Sequence, residues 1–93
     1  MANNLFISYD LNSPGQDYEI LISEIKSLGN WAKVQKSFWY VNASLSAAQA
    51  KDKLIPYIDR NDSLVVVDAS NNEAAWYGLS DKAANYIKTQ WIR

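Results

Sequence analysis

Hydrophobic positions along the chain switch between two spacings and predict an alternation of strands and helices. Residues 5–11 are a short apolar, aromatic-rich run followed by turn residues at 12–15, which indicates a first strand. Apolar side chains then recur at helical spacing, at Tyr18, Leu21, Ile22, Ile25 and Leu28. This pattern predicts a helix from about residue 17, and Gly29-Asn30 is expected to end it.

The middle of the chain predicts two strands, a helix and a further strand. Residues 31–35 and 36–41 are rich in aromatic and β-branched types, and no turn signal separates them clearly. Ser46 and Gln49 form a capping-box pattern at the start of the helix, and Pro56 is expected to kink or end it. The predicted buried face of this helix comprises Ala47, Ala50, Leu54, Tyr57 and Ile58. Residues 63–68 read as a strand buried on both faces, because their apolar run is nearly continuous.

The last twenty residues predict an extended segment and a final helix. Residues 74–79 are apolar but irregular, and we expect them to lie along the edge of the sheet. Ser80 begins a helix whose apolar face comprises Ala83, Ala84, Ile87 and Trp91. We expect Trp76 and Trp91 to be at least partly buried. The whole order, β-α-β-β-α-β-α, predicts one α+β domain over residues 1–93, a ferredoxin-like βαββαβ sandwich with an added C-terminal helix.

Composition narrows the chemistry open to the chain. The sequence has no cysteine and no histidine, which excludes disulfides, thiolate or imidazole metal sites and His-assisted nucleophiles. Any metal must be a hard cation held by oxygen, such as Mg²⁺ or Mn²⁺. With a net charge of −1, the chain lacks the excess of basic residues that is typical of a DNA-coating protein. The sequence contains no signal-peptide pattern and no apolar run of about 20 residues, so we expect a cytoplasmic protein without membrane contact.

Several short segments of the sequence resemble one protein family. Tyr9-Asp10-Leu11, Lys36-Ser37-Phe38-Trp39 and Asp62-Ser63-Leu64 resemble strand positions of the CRISPR-associated Cas-two proteins. A closer likeness is to the small Cas-two-like proteins called SinR-like. It is carried by residues 8–12, Pro14-Gly15-Gln16-Asp17-Tyr18, residues 25–29, Trp39, Leu54, Asn61-Asp62 and residues 75–81. The likeness spans nearly the whole chain.

The resemblance implies a ferredoxin-like homodimer. In the Cas-two proteins, acidic residues of the first strand can hold Mg²⁺ between two subunits and support phosphodiester hydrolysis, and the related virulence-associated protein D toxins are linked to RNA cleavage. The chain departs from this pattern after its first strand, where residues 12–16 contain no cation and the Cas-two proteins carry Arg and Lys. Its arginines are Arg60 and Arg93. The resemblance to SinR-like proteins implies no particular activity for this chain.

Asp10 is the candidate catalytic and metal-binding residue. A carboxylate at a strand end beside a dimer axis would meet its symmetry mate, and the two could share a divalent cation. The alternative is that Asp10 stabilises the following turn by local hydrogen bonds. Asp17 is a candidate second ligand, with a plain helix N-cap as its alternative.

Further candidates would bind a ligand and not transform it. Tyr9 and Asn12 flank Asp10 in the resembling segment, while Lys33, Lys36 and Ser37 could contact phosphate or else form a solvated strand face. Exposed aromatic side chains stack on bases, whereas buried ones fill a core or a dimer interface. These two alternatives stay open for Trp31, Trp39, Trp76 and Tyr77.

Three functions remain open from the sequence. The favoured one is a non-catalytic dimeric binding or assembly module that needs no cofactor and takes a nucleotide or nucleic acid as ligand. The second is an Mg²⁺- or Mn²⁺-dependent endonuclease of Cas-two or virulence-associated protein D type. The third is a protein-interaction adaptor that docks its Trp-rich C-terminal segment on another protein.

Overall fold

The computed structural model of the chain describes residues 2–12 and 18–92. Within these residues the chain forms five β-strands and three α-helices. In chain order they are β1 (Asn3–Asp10), α1 (Glu19–Ser27), β2 (Asn30–Gln35), β3 (Phe38–Ala43), α2 (Ala47–Leu54), β4 (Ser63–Asp68), β5 (Glu73–Tyr77) and α3 (Asp81–Gln90). A short 3₁₀ turn at Ile55–Tyr57 follows α2. The protein is therefore an α+β fold.

All neighbouring strands are antiparallel, and their order across the sheet is β2-β3-β1-β4-β5. The first six elements, from β1 to β4, are compatible with a ferredoxin-like arrangement. The predicted fold had four strands and a terminal helix. Residues 74–79 were expected to lie along the sheet edge, and β5 does so as a fifth strand paired with β4.

One face of the sheet carries the hydrophobic core. Alternate residues of β1, β3 and β4 point to this face, where α1 and α2 cover them. Leu21 and Ile25 of α1 and Ala50 and Leu54 of α2 are fully buried there. The sheet contributes Leu5, Ile7, Tyr9, Trp39, Val41, Leu64 and Val66. Full burial of a Leu or Ile side chain stabilises a fold by about 1.5–3 kcal/mol, so this layer carries most of the hydrophobic stabilisation.

The local signals for the two core helices are present in the structure. The Ser46 hydroxyl accepts from the Gln49 backbone N–H while the Gln49 side chain accepts from the Ser46 N–H, which confirms the capping box. Pro56 lies in the 3₁₀ turn immediately after α2, as expected of a residue that cannot continue the helix. Tyr57 was predicted to be buried, but it is 36% exposed because the change to 3₁₀ geometry turns it away from the core.

Helix α1 ends where the sequence predicts, immediately before Gly29, although the glycine is not its cap. The predicted N-cap, Asp17, lies outside the described residues, and Tyr18 occupies the N-cap position. The helix ends at Ser27 with Leu28 as its C-cap in right-handed geometry. Gly29 has a packing role instead, because a Cβ there would overlap the carbonyl oxygen of Asn42 in β3. A glycine at this point lets the chain pass close to the sheet as it enters β2.

Two strand predictions need correction. β3 begins at Phe38, since Lys36 and Ser37 form the turn after β2. β4 is not buried on both faces: Leu64 and Val66 are fully buried, but Val65 and Val67 are only partly so. The apolar run arises because the second face of the sheet also carries apolar residues.

The C-terminal segment lies beside β4 and β5. Gly78 follows β5 with φ +81°, and a Cβ there would overlap the carbonyl oxygen of Asp62. Ser80 then caps α3 by accepting from the Ala83 N–H, as predicted. Trp76 and Trp91 are partly buried, which confirms that expectation. None of the described helices is long and apolar enough to cross a membrane.

Candidate functional site

A shallow cleft at the end of β1 collects four of the sequence-predicted site residues. Tyr9 and Asp10 meet Lys36 and Ser37 of the β2–β3 turn, and together with Ser8, Gln35 and Phe38 they line about 360 Å³. The backbone N–H of Tyr9 donates to the carbonyl oxygen of Ser37 at 3.1 Å, which holds the turn against the strand. The cleft thus combines one carboxylate and one ammonium group with three hydroxyl-bearing residues, Ser8, Tyr9 and Ser37.

The wall of this cleft is held by a buried hydrogen-bonded pair. The Trp39 indole N–H donates to the Tyr9 hydroxyl at 3.1 Å, and that hydroxyl is 3.4 Å from the Lys36 carbonyl oxygen it can donate to. Tyr9 is 5% exposed and Trp39 2% exposed. Neither ring is available to stack on a base, so the core alternative is the correct one for Trp39. Their polar atoms support the turn that carries Lys36 and Ser37.

Asp10 is exposed at the end of β1, opposite Ser63 of β4. Within residues 2–12 and 18–92, no three acidic side chains are close enough to hold a metal ion together. Asp17, the candidate second ligand, lies outside these residues. The cleft offers Asp10 a neighbouring ammonium group in Lys36 and hydroxyls in Ser8 and Ser37.

Asn12 belongs to a different cluster, centred on the buried carboxylate of Asp62. The Asn12 backbone N–H donates to Asp62 Oδ1 at 2.7 Å, and its side-chain amide donates to the Asn61 carbonyl oxygen. Asp62 Oδ2 accepts from the Tyr18 hydroxyl and the Asp59 backbone N–H, each at 2.7 Å. Asn12 is thus a structural partner of the carboxylate.

The hydrogen bonds around Asp62 determine its charge state. Burial acts to raise the pKa of this carboxyl, but the N–H groups of Asn12 and Asp59 and the hydroxyl of Tyr18 outweigh that effect. The pKa therefore lies below its ordinary value, and the group is a carboxylate at neutral pH. Through these hydrogen bonds, Asp62 connects Asn12 and Tyr18, on either side of residues 13–17, to the beginning of β4.

The sheet face opposite the core, which we call the open face, is apolar and aromatic. The strand registers place Phe6, Phe38, Tyr40, Val65, Val67 and Trp76 on it. The rings of Phe6 and Phe38 stack at 5.6 Å, and Phe6 and Tyr40 are 5.5 Å apart in a tilted arrangement. Of the described positions that the registers assign to this face, Asp10 alone is charged.

Helix α3 lies against the open face on its β4–β5 side. Between the helix and the sheet runs an apolar groove of about 380 Å³, lined by Val65, Val67, Ala74, Trp76, Tyr86, Ile87, Gln90 and Trp91. The Trp91 indole N–H donates to the Asn72 carbonyl oxygen, and the Asn72 side chain donates to the Ile92 carbonyl oxygen. Trp76 is therefore a groove residue, covered on one side by α3.

A second aromatic cluster lies on the core side of β2, at the edge of the sheet. Trp31 is 45% exposed, and its ring is 5.5 Å from that of Trp39. The ammonium group of Lys26 lies 4.6 Å from the centre of the Trp31 ring, and that of Lys33 lies 5.7 Å from the Trp39 ring. Lys33 thus belongs to this cluster, whereas Lys36 belongs to the cleft.

The sequence did not single out Asp62, Lys26 or the open-face rings of Phe6, Phe38 and Tyr40 as site residues. Asp62 was noted only within the resemblance, and its partner Tyr18 is 44 residues away along the chain. The open face was detectable in part, since Phe6, Tyr40 and Val67 alternate with core residues in their strands.

Comparisons of the chain with protein-family models, curated proteins and solved structures found no match. The assignment to the SinR-like and Cas-two proteins therefore stays a prediction that is based on short sequence segments alone.

Proposed function

We propose that the chain is a non-catalytic, dimeric binding or assembly module with a ferredoxin-like fold of the SinR-like type. The order β1-α1-β2-β3-α2-β4, with both core helices on one face, supports the fold assignment. The observation that carries the functional proposal is the open face. Its aromatic rings line β1 and β3, while α3 lies only against β4 and β5.

The chemistry of the open face favours a protein surface as its occupant. Phe6, Phe38 and Tyr40 form a continuous ring cluster without a cation among them. A phosphate backbone needs Lys or Arg to replace its counterions, and among the described residues the strand registers assign neither to this face. Aromatic residues with few charges are typical of the centre of a protein–protein interface. A second copy of the chain offers a surface of the same character, and two-fold pairing is the commonest form of self-association.

The proposal predicts a dimer that depends on the open face. Light scattering after gel filtration at micromolar concentration should give twice the 10.5 kDa chain mass. Phe6→Lys places an ammonium group in the middle of the ring cluster, so this variant should run as a monomer, because burying an unpaired charge in an interface is strongly unfavourable.

The matched control is Ile20→Lys. Ile20 is an exposed apolar residue of α1, on the opposite layer of the molecule, and 57% of it is accessible. This variant should remain dimeric. A monomeric wild-type chain, or a Phe6→Lys variant that is folded by circular dichroism and still dimeric, contradicts the proposal. Phe38→Lys, at a second point of the ring cluster, tests it again should Phe6→Lys fail to fold.

The endonuclease is the alternative, and the cleft is the observation that favours it. Asp10, Lys36 and Ser37 converge there, which is a carboxylate for a hard cation beside groups that bind phosphate. If the chain cleaves RNA or DNA, Asp10→Asn and EDTA should each abolish cleavage, since both remove the ligation of the cation. If the purified protein cleaves nucleic acid and both Asp10→Asn and EDTA abolish that cleavage, the endonuclease function replaces the non-catalytic proposal. Cleavage that survives both would contradict the Cas-two mechanism.

A further inference from the structure

We propose that the Trp31 patch, formed by Lys26, Trp31 and Lys33, binds single-stranded nucleic acid by stacking a base on Trp31 and pairing the two lysines with phosphates. This inference deepens the binding function proposed above by assigning the ligand class to one surface. That surface is separate from the open face, so the two can be tested independently.

The patch is built by three elements of the fold. Trp31 and Lys33 are two residues apart on β2 and therefore point to the same face of the sheet. Lys26, in the last turn of α1, extends over the Trp31 ring with its ammonium group 4.6 Å from the ring centre and 5.9 Å from that of Trp39. Trp39 of β3 is buried beneath and supports the exposed ring at a tilt of 57°.

The two lysines keep their charge available. Among the described residues, no carboxylate lies within 4.0 Å of the ammonium group of Lys26 or Lys33. The ion pair in this part of the chain joins Lys51 and Asp52 on α2. Both lysines are exposed, and within the described part of the chain Lys26 lies over the rings of Trp31 and Trp39 while Lys33 lies over that of Trp39. A cation over a ring at a solvent-exposed site is held only weakly. Such a contact is weak enough to be exchanged for a phosphate.

A single strand fits this arrangement better than a duplex. Its bases are free to stack on an exposed ring, and such stacking tolerates any sequence. Two lysines beside one stacking platform suit a short stretch of backbone. Duplex DNA shields its base faces and requires a longer basic surface, which a chain of net charge −1 does not provide. The local patch is positive although the chain as a whole is slightly acidic.

The test is a fluorescence-anisotropy titration of labelled oligothymidylate at several salt concentrations, with EDTA present. Trp31→Ala should weaken binding by about tenfold or more, and Trp31→Phe should restore part of the affinity because a ring remains. The double variant Lys26→Gln/Lys33→Gln should weaken binding at low salt. It should also lower the salt slope by about 1.4, or about 0.7 for each lysine that no longer pairs with a phosphate.

The matched control is Lys82→Gln/Lys88→Gln, which removes the same charge from α3 and should leave affinity and slope unchanged. Labelled polyglutamate serves as a second ligand. The proposal is overturned if oligothymidylate does not bind, if both double variants bind alike, or if polyglutamate binds equally well and independently of Trp31. Light scattering of each variant in the same buffer reports self-association separately, so either proposal can fail while the other stands.

Discussion

At the residue scale, Asp62 is the clearest example of a polar side chain that organises the fold. It is 1% exposed, yet three donors on residues 12, 18 and 59 surround its carboxylate. A buried carboxylate is stable only when it is hydrogen-bonded in this way. The cluster connects the chain after β1, the start of α1 and the beginning of β4 at one point.

Asp62→Asn is predicted to destabilise the fold by about 1–3 kcal/mol at neutral pH. The amide would turn an NH₂ donor toward groups that already donate, so at least one of these hydrogen bonds would be lost. Chemical unfolding monitored by tryptophan fluorescence measures the difference. Asp59→Asn is the control, since the Asp59 carboxylate accepts from the exposed Arg60 N–H and its backbone N–H is unchanged.

The destabilisation by Asp62→Asn should depend on pH. The pKa of Asp62 is lower in the folded chain than its ordinary value of 3.8, so folding favours the charged form. Its contribution is complete above the unfolded pKa and is lost as the pH falls through the folded pKa. The stabilities of wild type and variant should therefore converge below about pH 4. A difference that is the same at pH 3 and pH 7 would show that the charge plays no part.

At the element scale, β5 and α3 extend the arrangement formed by the first six elements. β5 pairs with β4 along five residues, from Leu64↔Tyr77 to Asp68↔Glu73. Gly78 makes the tight passage from β5 to α3, and α3 then returns to the β4–β5 turn, where Trp91 contacts Asn72. Without these two elements, Val65 and Val67 would lose their cover and β4 would become an edge strand.

A chain ending at Asn72 is therefore predicted to aggregate or to associate weakly. Removing residues 73–93 exposes the apolar residues of β4 together with a row of unpaired backbone groups. Gel filtration and light scattering measure the outcome. A chain ending at Ser80, which keeps β5 and loses α3, is the control and should stay more soluble because β4 remains paired. A chain ending at Asn72 that is soluble, folded and dimeric would show that this segment is dispensable and would favour the adaptor function.

At the scale of the whole molecule, the sheet separates two different surfaces. Helices α1 and α2 close one face into the core, and the Trp31 patch lies at the rim of that layer. The open face, on the other side, carries the Phe6 ring cluster and the groove beneath α3. A dimer through the open face would leave the Trp31 patch of each copy accessible. The assembly would then present two binding patches on its outer sides.

The sequence by itself determined most of the elements, because they depend on local physics. Period-two and period-3.6 patterns predicted the strands and helices, and Ser46, Pro56 and Ser80 predicted helix boundaries through hydrogen bonds within a few residues. The same patterns predicted the α+β class. Leu21, Ile25, Ala47, Ala50 and Leu54 were predicted as core residues and are buried.

Tertiary structure alone decided which residues share a site. Asp62 meets Tyr18 across 44 residues, and the Trp39 indole meets the Tyr9 hydroxyl across 30, so no local pattern contains either pair. Trp31 and Trp39 look alike in sequence, yet Trp31 is 45% exposed on the edge strand β2 and Trp39 is buried on its inner neighbour β3. Each strand carries a single Trp at its second position, so the residue type does not separate the two. Their different exposure follows from strand order, which is set by contacts between distant parts of the chain.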